Sequence, residues 1–285
     1  MKGHGLSHGA ATIVNAIATG KGAAFGVDLK TEAWVELNDS GKVDVSIEGF
    51  KGESDELARR CVLNTLDRFQ ASGRGASVTT RSQIPISRGL KSSSAAANAT
   101  VLATVQALGE ELDPLDAIKI GTKSAIEAKV SITGAFDDAC ASLLGGIVLT
   151  DNAKNRLIRR ESMPAGVKVL IHVPPFQIRK QKLPLQRIRS LSRLVEVAFA
   201  EALAGRYAEA MMLNSLCYSA ALDLDTKVMM EALQKGALAA GLSGTGPATA
   251  ILVDEEDAER LLAAFDGKDF IVADIYNGED SRSKS

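Results

Sequence analysis

One segment of the chain combines the residue types that hold an anion. Pro85, Arg88, Gly89, Leu90 and Lys91 lead out of a strand-like stretch into Ser92, Ser93, Ser94 and Ala95, which open an alanine-rich helix. The first backbone N–H groups of a helix have no intrahelical partner and carry the positive end of its dipole, so a phosphate settles there if side chains leave room. A Ser-capped helix accounts for one hydroxyl. Three serines followed by three alanines leave a helix start with almost no bulk, which makes this a candidate phosphate loop. It is not a Walker A loop, because Gly89 is followed by Leu90, Lys91 and Ser92 with no second glycine before the lysine.

Other residues carry chemistry by type. Asp137 and Asp138 stand together ahead of a short helical stretch at 139–144, where they read as helix caps or as proton acceptors. Glu127 by itself reads as a solvated helix residue. His4, His8 and His172 lack the spacing to a second ligand that a zinc site shows, and Ser7 beside His8 makes no dyad by adjacency.

The loop resembles the second motif of the GHMP kinases, in which a proline and three further residues precede Gly-Leu-Gly-Ser-Ser-Ala. Pro85, Gly89, Leu90, Ser92 and Ser93 fall in register, and Lys91 departs from it where the family has glycine. Two further motifs follow in order. Residues 134–146 resemble the segment with the family's catalytic Asp, and the Ser and Gly that follow it select Asp138, with Asp137 kept as the alternative. Residues 241–247 look like the third motif, a Gly-rich turn between a helix and a strand at 248–253. Residues 9–29 take the place of the first motif and, with the loop, look like the archaeal-type shikimate kinases. The resemblance runs from about residue 2 to about residue 253.

That likeness implies an α+β fold of two domains with the active site between them. It also implies ATP as phosphoryl donor, Mg2+ held by Ser93 and Glu127, and shikimate as acceptor. Asp138 would steer the hydroxyl proton, and Lys91 would act as a point charge on the phosphates or project into solvent. Candidates for the acceptor are Asn15, Lys21, Arg179, Gly244, Thr245 and Gly246, with Lys21 and Arg179 the cations for its carboxylate. The same likeness leaves homoserine or a mevalonate-type acceptor as alternatives, and behind them a GHMP-fold decarboxylase or a non-catalytic sensor.

The elements that must position these residues alternate along the chain. Strands are expected at 23–29, 33–37, 42–47 and 78–84, helices at 55–70, 92–108 and 113–130, and a strand at 147–150. The basic run 151–160 reads as a boundary, giving domains at 1–155 and 156–277 and a polar tail at 278–285. In the second half a strand at 167–173 precedes two apolar helical stripes, one with Leu191, Leu194, Val195, Ala198, Phe199 and Ala202, the other with Ala258, Leu261, Leu262 and Phe265.

Composition sets the remaining bounds. With 285 residues, 46% hydrophobic and 24% charged, the chain can fill two cores. A net charge of −2 gives no electrostatic case for nucleic acid or an anionic membrane, and no run reaches the ~18 apolar residues of a membrane span. Cys61, Cys140 and Cys217 are odd in number and far apart, which points to free thiols in a reducing cytoplasm. From 162 to 195 there is no acidic residue, while Lys168, Arg179, Lys180, Lys182, Arg187, Arg189 and Arg193 fall inside. This is either a solvated or locally paired face, or a patch that draws in an anionic acceptor.

Overall fold

A computed structural model describes residues 1–49, 54–85, 88–176, 183–265 and 267–278. The chain forms two sheets with helices packed around them. The first sheet holds β1 (Lys2–Val14), β2 (Lys21–Asn38), β3 (Val43–Ile47), β4 (Gly75–Ser82), β5 (Ile147–Asp151) and β6 (Arg156–Glu161). β2 is its spine: β1 runs antiparallel along one edge, and β4 and β5 share the other. The stretch at 30–32, read as a break, is therefore continuous strand. Neighbours on both edges satisfy its backbone and override the charged residues.

β1 was not expected from sequence, and α2 (Ser92–Leu108) explains why. A Cβ on Gly3 or Gly5 would overlap the carbonyl oxygens of Ala103 and Ala99, so helix and strand approach backbone to backbone. Small residues on β1 are the counterpart of the alanines on α2. That contact erases the β-branched signature of a strand.

α1 (Glu56–Arg68), α3 (Pro114–Glu127) and α4 (Phe136–Leu144) complete the first layer. Asp113 caps α3, its carboxylate accepting from Leu115 N at 2.8 Å, with Pro114 in the first turn. α2 and α3 are antiparallel, joined by a short connection, and Gly121 lies against Ala97 and Asn98. The end of α3 therefore comes alongside the start of α2. β6 pairs with β5, so the basic run is in large part an edge strand of the first sheet and not a linker.

The second sheet is antiparallel in the order β10 (Phe270–Asp274), β7 (Val167–His172), β9 (Thr249–Asp254), β8 (Ala239–Leu242). α5 (Leu185–Ser190), α6 (Ser192–Leu203), α7 (Tyr207–Leu222), α8 (Lys227–Gln234) and α9 (Ala258–Ala263) pack with it. Of the expected stripes, Val195, Ala198, Phe199, Ala202, Ala258, Leu261 and Phe265 are buried, whereas Leu194 faces outward. The residues before 243 form β8, so the third motif turns between two strands and not between a helix and a strand.

One apolar cluster joins the sheets, running from Phe25, Ile147 and Leu149 through Phe199 and Tyr218 to Val169 and Ile171. Past β10 the chain crosses back to the first sheet. Tyr276 N donates to Gly26 O, Gly146 N donates to Tyr276 O, and Asn277 exchanges two hydrogen bonds with the Met163 backbone. Gly278, expected in the tail, lies against the Leu144 carbonyl, and 279–285 are outside the described residues.

Candidate active site

The end of β1 and the two turns of the second and third motifs meet at one place. Ser243 Oγ donates to Gly89 O at 2.8 Å, Ala248 N donates to Arg88 O at 3.1 Å, and Gly244 N donates to Thr12 Oγ1 at 2.9 Å. Gly89 has φ +90°, and a Cβ there would overlap the Ser243 carbonyl oxygen. Glycine is thus required both for its backbone angle and for the close approach. Leu90 and Ala95 are buried in the core, which anchors the loop. Ser92 and Ser93 are half-buried, whereas Ser94 is buried. Pro85 is also half-buried. The Arg88 guanidinium donates from Nη1 to the carbonyls of Pro174 and Phe176, which ties the loop to the segment after β7.

Lys91 caps α2 in a left-handed conformation, φ 67°, where the family has glycine. Its side chain is 8% exposed and does not project into solvent. Nζ stands 2.8 Å from Asp138 Oδ1 at ion-pair distance, on an approach outside hydrogen-bonding alignment. Asp137 and Asp138 lie within the first turn of α4 and do not cap it, since the N-cap is Ala135, itself left-handed at φ 55°. Lys91, a member of the ion pair, and Ala135, three residues before its partner, thus both hold a backbone conformation costly for a residue with a side chain.

Asp137 is held by Asn152. Asn152 Nδ2 donates to Asp137 Oδ1 at 2.7 Å, and Asn152 Oδ1 accepts from Asp137 N at 3.2 Å and from Thr150 Oγ1 at 2.7 Å. Burial first, then the charge of Asp138, pushes the Asp137 carboxyl up to about 7, against the pull of Lys91 and Asn152. Burial and the two aspartates likewise raise the Cys140 thiol.

Glu127 ends α3, where Asn64 Nδ2 donates to its Oε2 at 2.8 Å and Lys123 lies 3.8 Å from Oε1. Gly121, six residues before Glu127 on α3, lies against Ala97, four residues after Ser93 on α2. Among the described residues no group of three His, Cys, Asp or Glu could hold a metal by itself.

Of the residues expected at the acceptor, Asn15 donates from N to Asn214 Oδ1 at 3.0 Å and accepts at O from Tyr218 Oη at 3.1 Å. Lys21 Nζ lies 5.9 Å from the Phe199 ring centroid. Thr245 is buried between the left-handed Gly244 and Gly246. Arg179, with Lys180 and Lys182, lies outside the described residues. Two members of the basic run have local partners: Lys168 pairs with Asp274 and Glu255, and Arg187 grips both carboxylate oxygens of Asp223. His8 stacks on Tyr276 with centroids 3.6 Å apart and lies 3.5 Å from Asp28, and its pKa is lowered chiefly by burial. Sequence reasoning held Thr12 and Ser243 only as parts of the segments 9–29 and 241–247, with no role of their own, and missed Asn152, Asn214 and Tyr218, which are buried polar residues outside every motif segment.

Two α+β layers joined by small-residue turns around a buried lysine–aspartate pair define a small-molecule kinase. The profile described as GHMP kinases N terminal domain matches residues 56–146, and that of the GHMP kinases C terminal matches 198–271. The chain belongs to the GHMP kinase family. The shikimate kinase of Methanothrix thermoacetophila is 48% identical over 93% of this chain and 90% of its own length, and that of Methanosarcina acetivorans is 49% identical with the same coverage. Among solved structures, the homoserine kinase from Cytophaga hutchinsonii superposes with a TM-score of 0.76 at 21% identity, covering 97% of this chain and 96% of that one. The Lactococcus lactis galactokinase complexed with galactose gives 0.76 at 14% identity, covering 97% and 94%. These two share the fold.

Proposed function

We propose that this protein transfers the γ-phosphoryl group of ATP to a ring hydroxyl of shikimate. The observation that carries the reading is the buried Lys91–Asp138 pair where the turns of the second and third motifs meet, in a chain nearly half identical to proteins named shikimate kinase. Phosphoryl transfer asks a protein to align donor and acceptor, neutralise charge and orient the attacking oxygen. In this reading the N–H groups from Gly89 to Ser94 hold the phosphates; that of Ala95, also expected there, donates instead to Lys91 O at 3.0 Å. Asp138 takes the proton as the acceptor O–H bond breaks and the new O–P bond forms, and ADP leaves with the electrons of the old bond. Lys91 holds Asp138 in place and turns its charge toward the transferring group.

Ser93 and Glu127 suit magnesium, which takes hard oxygen ligands, few of them from protein, and neutralises phosphate charge when bound with the nucleotide. Asn15, Lys21, Arg179 and the turn Gly244, Thr245 and Gly246 are assigned to the acceptor. The domain division, with β6 counted in the first unit, belongs to the same reading. So does a cytoplasmic setting, which suits three free buried thiols in a chain with no helix, among the described residues, long and apolar enough to cross a membrane.

The test is ADP release by purified protein with ATP, magnesium and either shikimate, homoserine or mevalonate. The highest kcat/KM should be with shikimate. A higher value with either of the others removes the acceptor assignment, and ADP release with none of them removes the kinase reading.

A further inference from the structure

A buried donor beside the turn after β1 has, among the described residues, no acceptor of its own. Asn214, on α7, is 1% exposed. Its orientation is fixed chemically: Asn15 N is a donor and so must face the amide oxygen, at 3.0 Å, which leaves Nδ2 as the other end. Among the described residues Nδ2 has no hydrogen-bond partner. A buried polar group left unpaired is costly, and such groups in a folded protein call for an explanation.

The surroundings supply one. One turn further along α7, Tyr218 Oη donates to Asn15 O and accepts from Ala18 N, so Asn214 and Tyr218 together clasp the turn after β1. On the next residue, Ser215 Oγ accepts from Leu242 N, at the end of β8 where the third motif begins. The amide therefore stands between the first and third motifs. A donor of this kind is matched by an oxygen that accepts a hydrogen bond.

We propose that Asn214 Nδ2 binds an unreactive hydroxyl of the acceptor, and so selects a small polyhydroxylated substrate. This rests on the reading of the protein as a shikimate kinase. It also separates two parts of the site: the phosphate loop serves the donor, and the α7 face serves hydroxyls of the acceptor that are not phosphorylated.

Asn214→Asp keeps an oxygen for Asn15 N and replaces the free donor by a second oxygen. Its KM for shikimate should rise roughly ten- to a hundredfold, the usual loss when a site is left with an unmatched polar pair, while the KM for ATP stays within about twofold. Wild-type protein should disfavour, by a similar factor, a shikimate analogue lacking one of the two unreactive ring hydroxyls. The variant should not distinguish that analogue from shikimate, because the two losses are the same contact. If Asn214→Asp does not fold, as judged by its thermal unfolding, Asn214→Ser enters the same comparison. An unchanged KM for shikimate, or an undiminished preference over both analogues, means that the donor does not meet the acceptor and overturns the inference, leaving the kinase reading intact. Wild-type protein that does not turn over shikimate overturns both.

Discussion

Lys91 shows a residue kept against its backbone preference. The left-handed conformation costs a non-glycine residue about 1–2 kcal/mol, and the family's glycine would avoid that. Asp138, however, is 11% exposed in its side chain, and removing the partner of a buried charge costs roughly 3–5 kcal/mol. The second effect wins. Lys91→Gly should therefore lower stability in denaturant unfolding, and adding Asp138→Asn to it should restore most of the loss. Equal stability of the single and double variants would show that the pair is not coupled. Turnover of Lys91→Gly should fall about a hundredfold, equivalent to ~3 kcal/mol of transition-state stabilisation.

The neighbouring aspartate gives a pH signature. Its folded pKa, about 7, lies above the ordinary 3.8, so folding favours the protonated form. That contribution is complete below the unfolded value and is lost as pH rises through the window from about 4 to about 7. Asp137→Asn is neutral throughout and keeps the oxygen that accepts from Asn152. The melting temperature of this variant relative to wild type should climb across that window and level off above it; a difference that does not vary with pH would remove the burial argument. Turnover should separate the pair in the other direction, with Asp138→Asn losing orders of magnitude and Asp137→Asn losing less.

At the scale of elements, α2 does two jobs that substitutions can pull apart. Its flank seats on β1 through Gly3 and Gly5, and its first turn carries the serines proposed to hold the phosphates. Gly5→Ala puts a methyl into the Ala99 carbonyl, which should cost roughly 1–3 kcal/mol of stability. Because the helix must shift as a unit, the KM for ATP should rise as well. Ser93→Ala removes a half-buried hydroxyl at the helix start and should leave the melting temperature unchanged while turnover falls. If Ser93→Ala retains near-normal turnover, Ser93 is not part of the metal and phosphate site.

At the scale of the molecule, the segment after β10 closes the chain across both layers. Asn277 is its firmest tie, with Nδ2 donating to Met163 O at 3.1 Å and Oδ1 accepting from Met163 N at 2.8 Å. Asn277→Ala should lower stability by about 2 kcal/mol, the loss of two hydrogen bonds of ordinary worth, read in thermal or denaturant unfolding. A neutral substitution would show that the apolar cluster alone holds the layers together. Since that cluster already runs from Phe25 to Ile171, the tie's contribution is to fix where the last strand leaves the sheet.

The sequence by itself determined what is written in neighbouring residues. The serines after Gly89, the Asp113-Pro114 helix start and the order of three turns all express local chemistry: unpaired N–H groups, a cap, a permissive backbone. Only tertiary structure decided the rest. β1 was hidden because its glycines answer the alanines of a helix far along the chain, and the continuity of β2 depended on three partner strands. Lys91 could have faced solvent or phosphate. That it faces Asp138 follows from how α2 and α4 pack. Asn152 and Asn214 gain their meaning only from what surrounds them, because an amide's role is set by which of its ends is satisfied, and that is settled when distant elements are brought into contact.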